Sequence, residues 1–230
     1  MEAKKLSETV RVRLERQFGR PDSGEREDPL SALVGTILSQ NTTDITSDRA
    51  WAALRSRYPT MELLIRADRD KLAETIRVGG LPQLKAERIL GSLKEIRRLT
   101  GKLSLDFLDD MDEQEADAWL SQLKGVGPKT RAIVLLFALG KKAFPVDTHI
   151  SRVTQRIGLV RCGAPREEAQ STMAALSKPK DYFSYHINLI EHGRKTCSAR
   201  NPKCGACVLS DVCQWDCRKN YGWKPMRRKR

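Results

Sequence analysis

The sequence predicts an all-α protein, and three observations support this fold class. Apolar residues recur at intervals of three and four along most of the chain, which is the spacing of one helix face. No run in which apolar and polar residues alternate, the pattern of a half-buried strand, extends beyond a few positions. Glycines fall mainly between the periodic segments, where they separate helices. Together these patterns indicate helices joined by short connections.

The predicted elements follow one another in a simple order. An N-terminal helix precedes the polar segment PDSGERED (21–28), which is typical of a loop. The first core helix follows, with apolar positions from Leu30 to Leu38. A cap-rich turn around Asp44 begins the next helix, and Pro59 closes it. Asp112 precedes EQEADAWLSQL and is a predicted N-cap, since a carboxylate there accepts from free backbone amides.

The charge of the chain indicates a polyanionic partner. The 230 residues carry a formal net charge of +13, and at this length they can form one large domain or two small ones. The final thirteen residues hold seven basic side chains, which leaves +6 for the first 217. The N-terminus lacks the apolar core of a secretory signal, and no apolar run approaches the 18 residues typical of a membrane span. We therefore expect an intracellular protein.

Four cysteines near the C-terminus have the spacing C-x6-C-x2-C-x5-C: Cys197, Cys204, Cys207 and Cys213. Thiols stay reduced inside cells, so this grouping favours a metal over disulfides. One C-x2-C flanked by single cysteines suits a four-iron cluster better than a zinc knuckle, although four thiolates serve both kinds of site. Two other cysteines lie outside the pattern. We expect Cys162 to be a small buried residue and Cys217 an exposed thiol.

The segment LKGVGPKT (123–130) predicts a tight hairpin between two helices. Gly125 and Gly127 permit positive φ and a close approach of backbone to another surface, and Pro128 suits the first turn of the next helix. Free backbone amides at such a helix start bind phosphate. Taken alone, the pattern fits a plain interhelical turn equally well.

The hairpin segment resembles the helix-hairpin-helix of the DNA glycosylase superfamily, and PVDTHI (145–150) resembles the aspartate segment that follows it. The cysteine spacing completes the pattern of the endonuclease III family. This resemblance covers the chain from near Lys5 to Cys217. It implies a bifunctional DNA glycosylase/AP lyase of base excision repair with a 4Fe-4S cluster. The implied partner is double-stranded DNA that contains oxidised pyrimidines or abasic sites, bound by a monomer in the cytoplasm with the nucleoid and without contact to a membrane.

The resemblance implies catalytic roles for Lys129 and Asp147. Lys129 would attack C1′ of the damaged nucleotide, form a Schiff base and cut the strand by β-elimination. The start of a helix and partial burial both disfavour an ammonium ion there, which suits a nucleophile. Asp147 would stabilise positive charge on the sugar. It also suits the N-cap of the helix THISRVTQRIGL, and both roles are compatible.

The resemblance also implies residues that contact DNA. Asn41 and Leu81 match the two loop positions that fill the gap left by a flipped nucleotide. Many bacterial relatives have glutamine where this chain has Asn41, so the side chain of Asn41 reaches less far into DNA. The alternative interpretations are that Asn41 caps a loop and that Leu81 is a core leucine. His192, just before the cluster loop, is expected to be structural. The other predicted contacts are Gln40, Gly125, Gly127, Thr130, His149, Arg194 and Lys203.

Two helical lobes follow from the same resemblance. Residues 27–141 would form one lobe with the hairpin, and residues 1–26 plus 142–217 would form the iron-sulfur lobe. DNA would lie in the groove between them, where Lys129 and Asp147 face each other. Residues 218–230 would be a disordered basic tail.

Four other functions are considered as alternatives. A mismatch adenine glycosylase is disfavoured, since Gly35 stands where that enzyme has glutamate. A thymine or uracil mismatch glycosylase stays open, since small changes of the pocket alter the choice of base. An oxidised-purine enzyme of the same fold could also use a lysine and an aspartate, although it commonly lacks the cluster. A non-catalytic iron-sulfur DNA-binding module would have no need of that pair.

Overall fold

The computed structural model describes residues 2–221, and this part of the chain contains helices and no β-strand. The all-α prediction is therefore confirmed for these residues. The chain divides into two compact units, of which one comprises residues 25–141 and the other joins residues 1–24 to the chain from Lys142 onward. In chain order the α-helices are α1 (Glu2–Phe18), α2 (Pro29–Ser39), α3 (Asp44–Arg57), α4 (Met61–Leu64), α5 (Arg69–Thr75), α6 (Pro82–Thr100), α7 (Glu113–Ser121), α8 (Pro128–Ile133), α9 (Thr148–Ile157), α10 (Arg166–Leu176) and α11 (Tyr182–Lys195).

Shorter helical turns complete the regular structure. A π-helical turn continues α8 directly, over Val134–Ala138. The 3₁₀ turns cover Arg77–Gly79, Asp106–Asp110, Pro179–Asp181, Cys204–Ala206 and Asp216–Tyr221.

Several helix starts are set by the side chains that the sequence places there. Asp28 caps α2 by accepting from Ser31 N at 2.8 Å, and Pro29 occupies the first turn. The cap of α3 is Thr43, one residue before the predicted Asp44. Asp112 caps α7 as predicted, and Glu115 reaches back to the amide of Asp112, which completes a capping box.

The unit of residues 25–141 is built around α2 and α6. Helix α2 is buried along almost its whole length, and it packs against α3, α6, α8 and the π-helical turn. Helix α6 packs mainly against α5 and buries Ile89 and Leu93 on its inner face. Burying such aliphatic side chains contributes about 1.5–3 kcal/mol each, so these two helices form the frame that holds the adjoining loops.

The second unit joins the N-terminal helix to the C-terminal part of the chain. Helix α1 packs against α10 and α11, and α9 packs against α11. The buried carboxylate of Asp181 accepts from Arg20 Nη2 at 2.7 Å and lies 3.6 Å from Arg11 Nε, which satisfies its charge. Phe144 contacts the ring of Tyr185 edge-on, with centroids 5.9 Å apart.

The predicted basic tail lies only partly within the described residues. Its first residues belong to the 3₁₀ turn Asp216–Tyr221, whereas residues 222–230 lie outside the described part of the chain. No helix of the described part is long and apolar enough to cross a membrane.

Candidate functional site

The hairpin between α7 and α8 follows the predicted pattern with one correction. Gly125 has φ +85°, and a Cβ built there would meet Arg88 Cγ at 2.9 Å, so glycine is required for both conformation and space. Gly127 is the N-cap of α8 with φ −79°, which any residue can adopt. The expectation of positive φ therefore holds for Gly125 alone. The buried side chains of Leu123 and Val126 anchor the turn from within.

Lys129 is the second residue of α8 and is half-buried. Its helix is fixed to α7 by a hydrogen bond in which Arg131 Nε donates to Asp117 Oδ1 at 2.8 Å. The next residue, Thr130, is only 4% exposed, and its hydroxyl accepts from Gln40 Nε2 at 3.3 Å. The side chain of Thr130, which we expected at a DNA-contacting surface, thus faces the protein interior.

The loop residues Asn41 and Leu81 share an unusual backbone conformation. They are the only non-glycine residues with positive φ in the described part of the chain, at +53° and +49°. This left-handed conformation is tolerated by asparagine but costs leucine about 1–2 kcal/mol. Both side chains are exposed, Leu81 by 49%, which excludes the alternative that Leu81 is a core residue. An exposed leucine in a strained conformation points to a function for that side chain.

Asp147 caps α9, as the sequence suggested. Its Oδ1 accepts from the backbone N of Ile150 at 2.7 Å, and the residue is half-buried. Two positions later, His149 lies against α11, because a Cβ added to Gly193 would meet His149 Cβ at 2.9 Å. His149 Nδ1 lies 3.1 Å from Arg152 Nη2, so the imidazole has a protein partner and is not simply solvent-facing.

The four cysteines of the C-terminal pattern line one cavity, together with Arg156 and His192. Two N–H groups approach their sulfurs at 3.4 Å, from Leu209 N to Cys207 and from Arg156 Nη1 to Cys197. Burial raises the pKa of the Cys207 thiol to about 12, so its thiolate needs a compensating positive charge such as iron supplies. Soft thiol donors with N–H groups directed at sulfur fit an iron-sulfur cluster.

The remaining residues with predicted roles in the C-terminal part of the chain can be compared with their positions in the structure. His192 is fully buried with Nε2 3.7 Å from Cys207 Sγ, in keeping with the structural role expected for it. Among the described residues, no group of three or more His, Cys, Asp or Glu side chains is placed to hold a single metal ion. Arg194 and Lys203 are exposed beside the cysteines, and Arg194 lies 4.0 Å from Glu191. Cys162 is exposed, so the expectation that it is buried was wrong.

Two residues that the sequence analysis missed lie under the loops of Asn41 and Leu81. Lys85 is only 1% exposed, and Arg88 donates to Gln40 Oε1 at 2.6 Å. Lys85 could have been found because it stands four residues before Ile89, on the apolar face of α6. A lysine at such a position is rarely accidental, since lysine is almost never fully buried without a partner.

Comparison with known proteins agrees with these features. Residues 34–179 match the family described as the HhH-GPD superfamily of base excision DNA repair proteins, and residues 197–213 match the iron-sulfur binding domain of endonuclease III. The chain is 32% identical to endonuclease III of Sulfolobus acidocaldarius over 84% of both chains. It is 33% identical to that of Thermotoga maritima, over 88% of this chain and 90% of the relative.

A solved structure of a trapped endonuclease III–DNA covalent intermediate is also similar. It has a TM-score of 0.79 and 26% identity, over 92% of this chain and 95% of that one. A non-covalent endonuclease III–DNA complex matches equally well.

The helical fold, the glycine hairpin and the cysteine loop together define a DNA glycosylase of the helix-hairpin-helix class. Within that class, the chain belongs to the endonuclease III family. It is therefore a base excision repair enzyme that acts on DNA, and the family implies AP lyase activity in addition to glycosylase activity. Its cofactor is a 4Fe-4S cluster.

Proposed function

We propose that this enzyme removes oxidised pyrimidines from double-stranded DNA, and cuts abasic sites, with Lys129 as its nucleophile. The observation that carries the proposal is the position of Lys129. It is the second residue of the helix that follows the glycine hairpin, and its side chain is half-buried. A lysine amine at this position can attack a sugar carbon and form a Schiff base, which is the step that the proposed reaction needs.

The reaction proceeds through a covalent intermediate. The nitrogen of Lys129 forms a bond to C1′, and the glycosidic bond breaks, so that the base leaves with the bonding electron pair and gains a proton. Opening of the sugar ring gives a Schiff base between lysine and C1′. Loss of a proton from C2′ then expels the 3′ phosphate by β-elimination. Water hydrolyses the remaining imine and frees Lys129.

Asp147 supports the steps in which positive charge develops. Its fixed carboxylate stabilises the charge that builds on the sugar as the base departs, and it can accept a proton from the attacking amine. The hydrogen bond from Ile150 N holds one carboxylate oxygen in place, which leaves the other oxygen for this role. Capping α9 and stabilising the transition state are thus compatible functions of one side chain.

Asn41 and Leu81 are proposed to fill the gap that the flipped nucleotide leaves in the duplex. The exposure of both residues supports this role, and so does the strained left-handed backbone of Leu81, because backbone strain clusters at functional sites. Asparagine is shorter than the glutamine of many relatives, so we expect Asn41 to make fewer contacts with the opposing base.

The other residues that were predicted to contact DNA fall into two groups, one proposed to contact DNA and one proposed to support the loop. We propose that the backbone at Gly125 and Gly127 approaches phosphate, together with His149, Arg194 and Lys203. Gln40 and Thr130 bind each other, and we propose that they support the loop and do not contact DNA through their side chains.

The cluster is proposed to organise a DNA-contacting loop. Cys197, Cys204, Cys207 and Cys213 would ligate it, and its redox chemistry takes no part in breaking the glycosidic bond. We propose two lobes, 27–141 and 1–26 plus 142–217, with the enzyme acting as a monomer in the cytoplasm, at the nucleoid.

Borohydride trapping tests this proposal. Wild-type protein should form a covalent adduct with duplex DNA carrying thymine glycol, dihydrouracil or an abasic site. Lys129→Ala should lose the adduct, whereas Lys124→Ala, an exposed lysine of the same hairpin, should keep it. An adduct at the wild-type rate with Lys129→Ala would refute the assigned nucleophile. Preference for thymine or uracil opposite guanine, or for oxidised guanine, would refute the lesion class, and no adduct at all would indicate a binding module.

A further inference from the structure

The buried lysine of α6 joins the bases of two separate loops. Lys85 Nζ donates to the carbonyl oxygen of Leu38 at 2.6 Å and to that of Gly79 at 2.7 Å. Leu38 stands three residues before Asn41, and Gly79 stands two residues before Leu81. One ammonium group therefore holds together the starting points of both loops that carry the proposed wedge residues. A charge this deeply buried is costly unless its hydrogen bonds are needed.

The surroundings leave little freedom at this junction. A Cβ added to Gly79 would meet Ala50 Cβ at 3.1 Å and would lie 3.8 Å from Lys85 Nζ. Lys85 is only 1% exposed, and this separation from water lowers the pKa of its ammonium. The two carbonyls thus take the place of the water that an exposed lysine would bind.

A second cation on the same helix extends this connection to the hairpin. Arg88 lies one turn after Lys85, and its Nη1 donates to Gln40 Oε1 at 2.6 Å. Gln40 in turn donates to Thr130 Oγ1 at 3.3 Å, next to Lys129. The aliphatic part of Arg88 also fills the space beside Gly125, where a Cβ would be only 2.9 Å away. Side-chain contacts therefore run from the loop of Asn41 to the helix of the proposed nucleophile.

We propose that Lys85 and Arg88 are positioning residues for nucleotide flipping. Lys85 fixes the two wedge loops relative to each other, so that Asn41 and Leu81 enter the duplex together. Arg88 keeps this pair in register with the hairpin and the helix of Lys129. The left-handed backbone of Leu81 agrees with this role, since a strained conformation persists only where its surroundings fix it. The inference rests on the wedge and nucleophile roles proposed above.

The test separates flipping from chemistry by comparing two DNA substrates. Single-turnover borohydride trapping is measured on an abasic site in a duplex and on the same site in a single strand, where no opposing base or stack must be replaced. Lys85→Met and Arg88→Met should each lower the duplex rate, by about tenfold or more for Lys85→Met and about threefold or more for Arg88→Met. Both variants should keep the single-strand rate within about twofold of wild type.

A matched control and a spectroscopic measurement exclude a merely structural role. Ile89→Ala removes a fully buried side chain from the same helix but none of the hydrogen bonds of Lys85 or Arg88, so it should lower thermal stability and keep the wild-type ratio of the two rates. A 2-aminopurine opposite the abasic site should brighten when wild type or Ile89→Ala binds, and should stay quenched with Lys85→Met.

Each outcome is decisive. A ratio of duplex rate to single-strand rate that equals the wild-type ratio in both methionine variants would refute the inference. If Lys85→Met does not fold, Arg88→Met decides by itself, because Arg88 is only half-buried and its replacement should leave the fold intact. Equal losses on both substrates would also refute it, since they would indicate a general loss of activity. A wild-type protein that traps neither substrate would instead refute the proposed function.

Discussion

The N-cap of α9 and the proposed catalytic role can be separated by substitution of Asp147. In the wild type, Asp147 Oδ1 accepts from Ile150 N at 2.7 Å. Asparagine at this position keeps an oxygen that can accept this hydrogen bond, but it removes the negative charge. Alanine removes both. Loss of an N-cap costs about 1 kcal/mol, whereas the neutral amide loses only about 0.3–1 kcal/mol of interaction with the helix start. For a chain of this size, 1 kcal/mol corresponds to a shift of about 2–4 °C in Tm.

The comparison uses Tm and the single-turnover rate of base release from a thymine glycol duplex. Asp147→Ala should melt about 2–4 °C below wild type, and Asp147→Asn should melt at or slightly below the wild-type value. Both should lose about a hundredfold or more in base release, the range typical when a fixed electrostatic group is removed. If Asp147→Asn recovers both stability and activity, the carboxylate is only a cap and the catalytic assignment is wrong.

Two further predictions concern stability. Asp112→Ala removes the capping box of α7, including two hydrogen bonds at 2.8 Å that Asp112 accepts from backbone amides. The free energy of unfolding, measured in urea, should fall by about 0.5–2 kcal/mol. An unchanged free energy of unfolding would refute the importance of the cap. Burial lowers the pKa of Lys85 in the folded protein, whereas in the unfolded chain this lysine has a pKa near 10.4. Between these two pKa values the unfolded chain binds more protons than the folded one. The free energy of unfolding should therefore rise with pH across this interval. Urea midpoints measured from pH 7.5 to 10 should therefore rise less in Lys85→Met than in wild type, and equal slopes would contradict the assignment.

The features that were predictable from the sequence depend on neighbours close in the chain. The cap at Asp112 and the tight turn at Gly125 are set by residues within one helical turn, so short patterns were enough to identify them. The spacing of the four cysteines identified a metal loop for the same reason. In these cases the chemical groups that satisfy each other lie next to each other in the sequence.

The features that were not predictable depend on distant partners. Thr130 was expected to contact DNA, but its hydroxyl binds Gln40, ninety residues away in the chain. Cys162 was expected to be buried, but it is exposed. Lys85 was overlooked, because a lysine is ordinarily assigned to a solvated face, and the carbonyl of Leu38 that compensates its burial is 47 residues distant.

We propose opposite roles for two lysines of this chain, and their hydrogen bonds differ accordingly. Lys85 and Lys129 each lie near the start of a helix that follows a glycine-containing turn and a proline. Lys85 has two carbonyl acceptors within 2.7 Å, so its N–H groups are committed to the protein. In the described part of the chain Lys129 has no hydrogen bond or ion pair. Its amine is therefore not held by a protein partner, which supports the proposed attack on C1′.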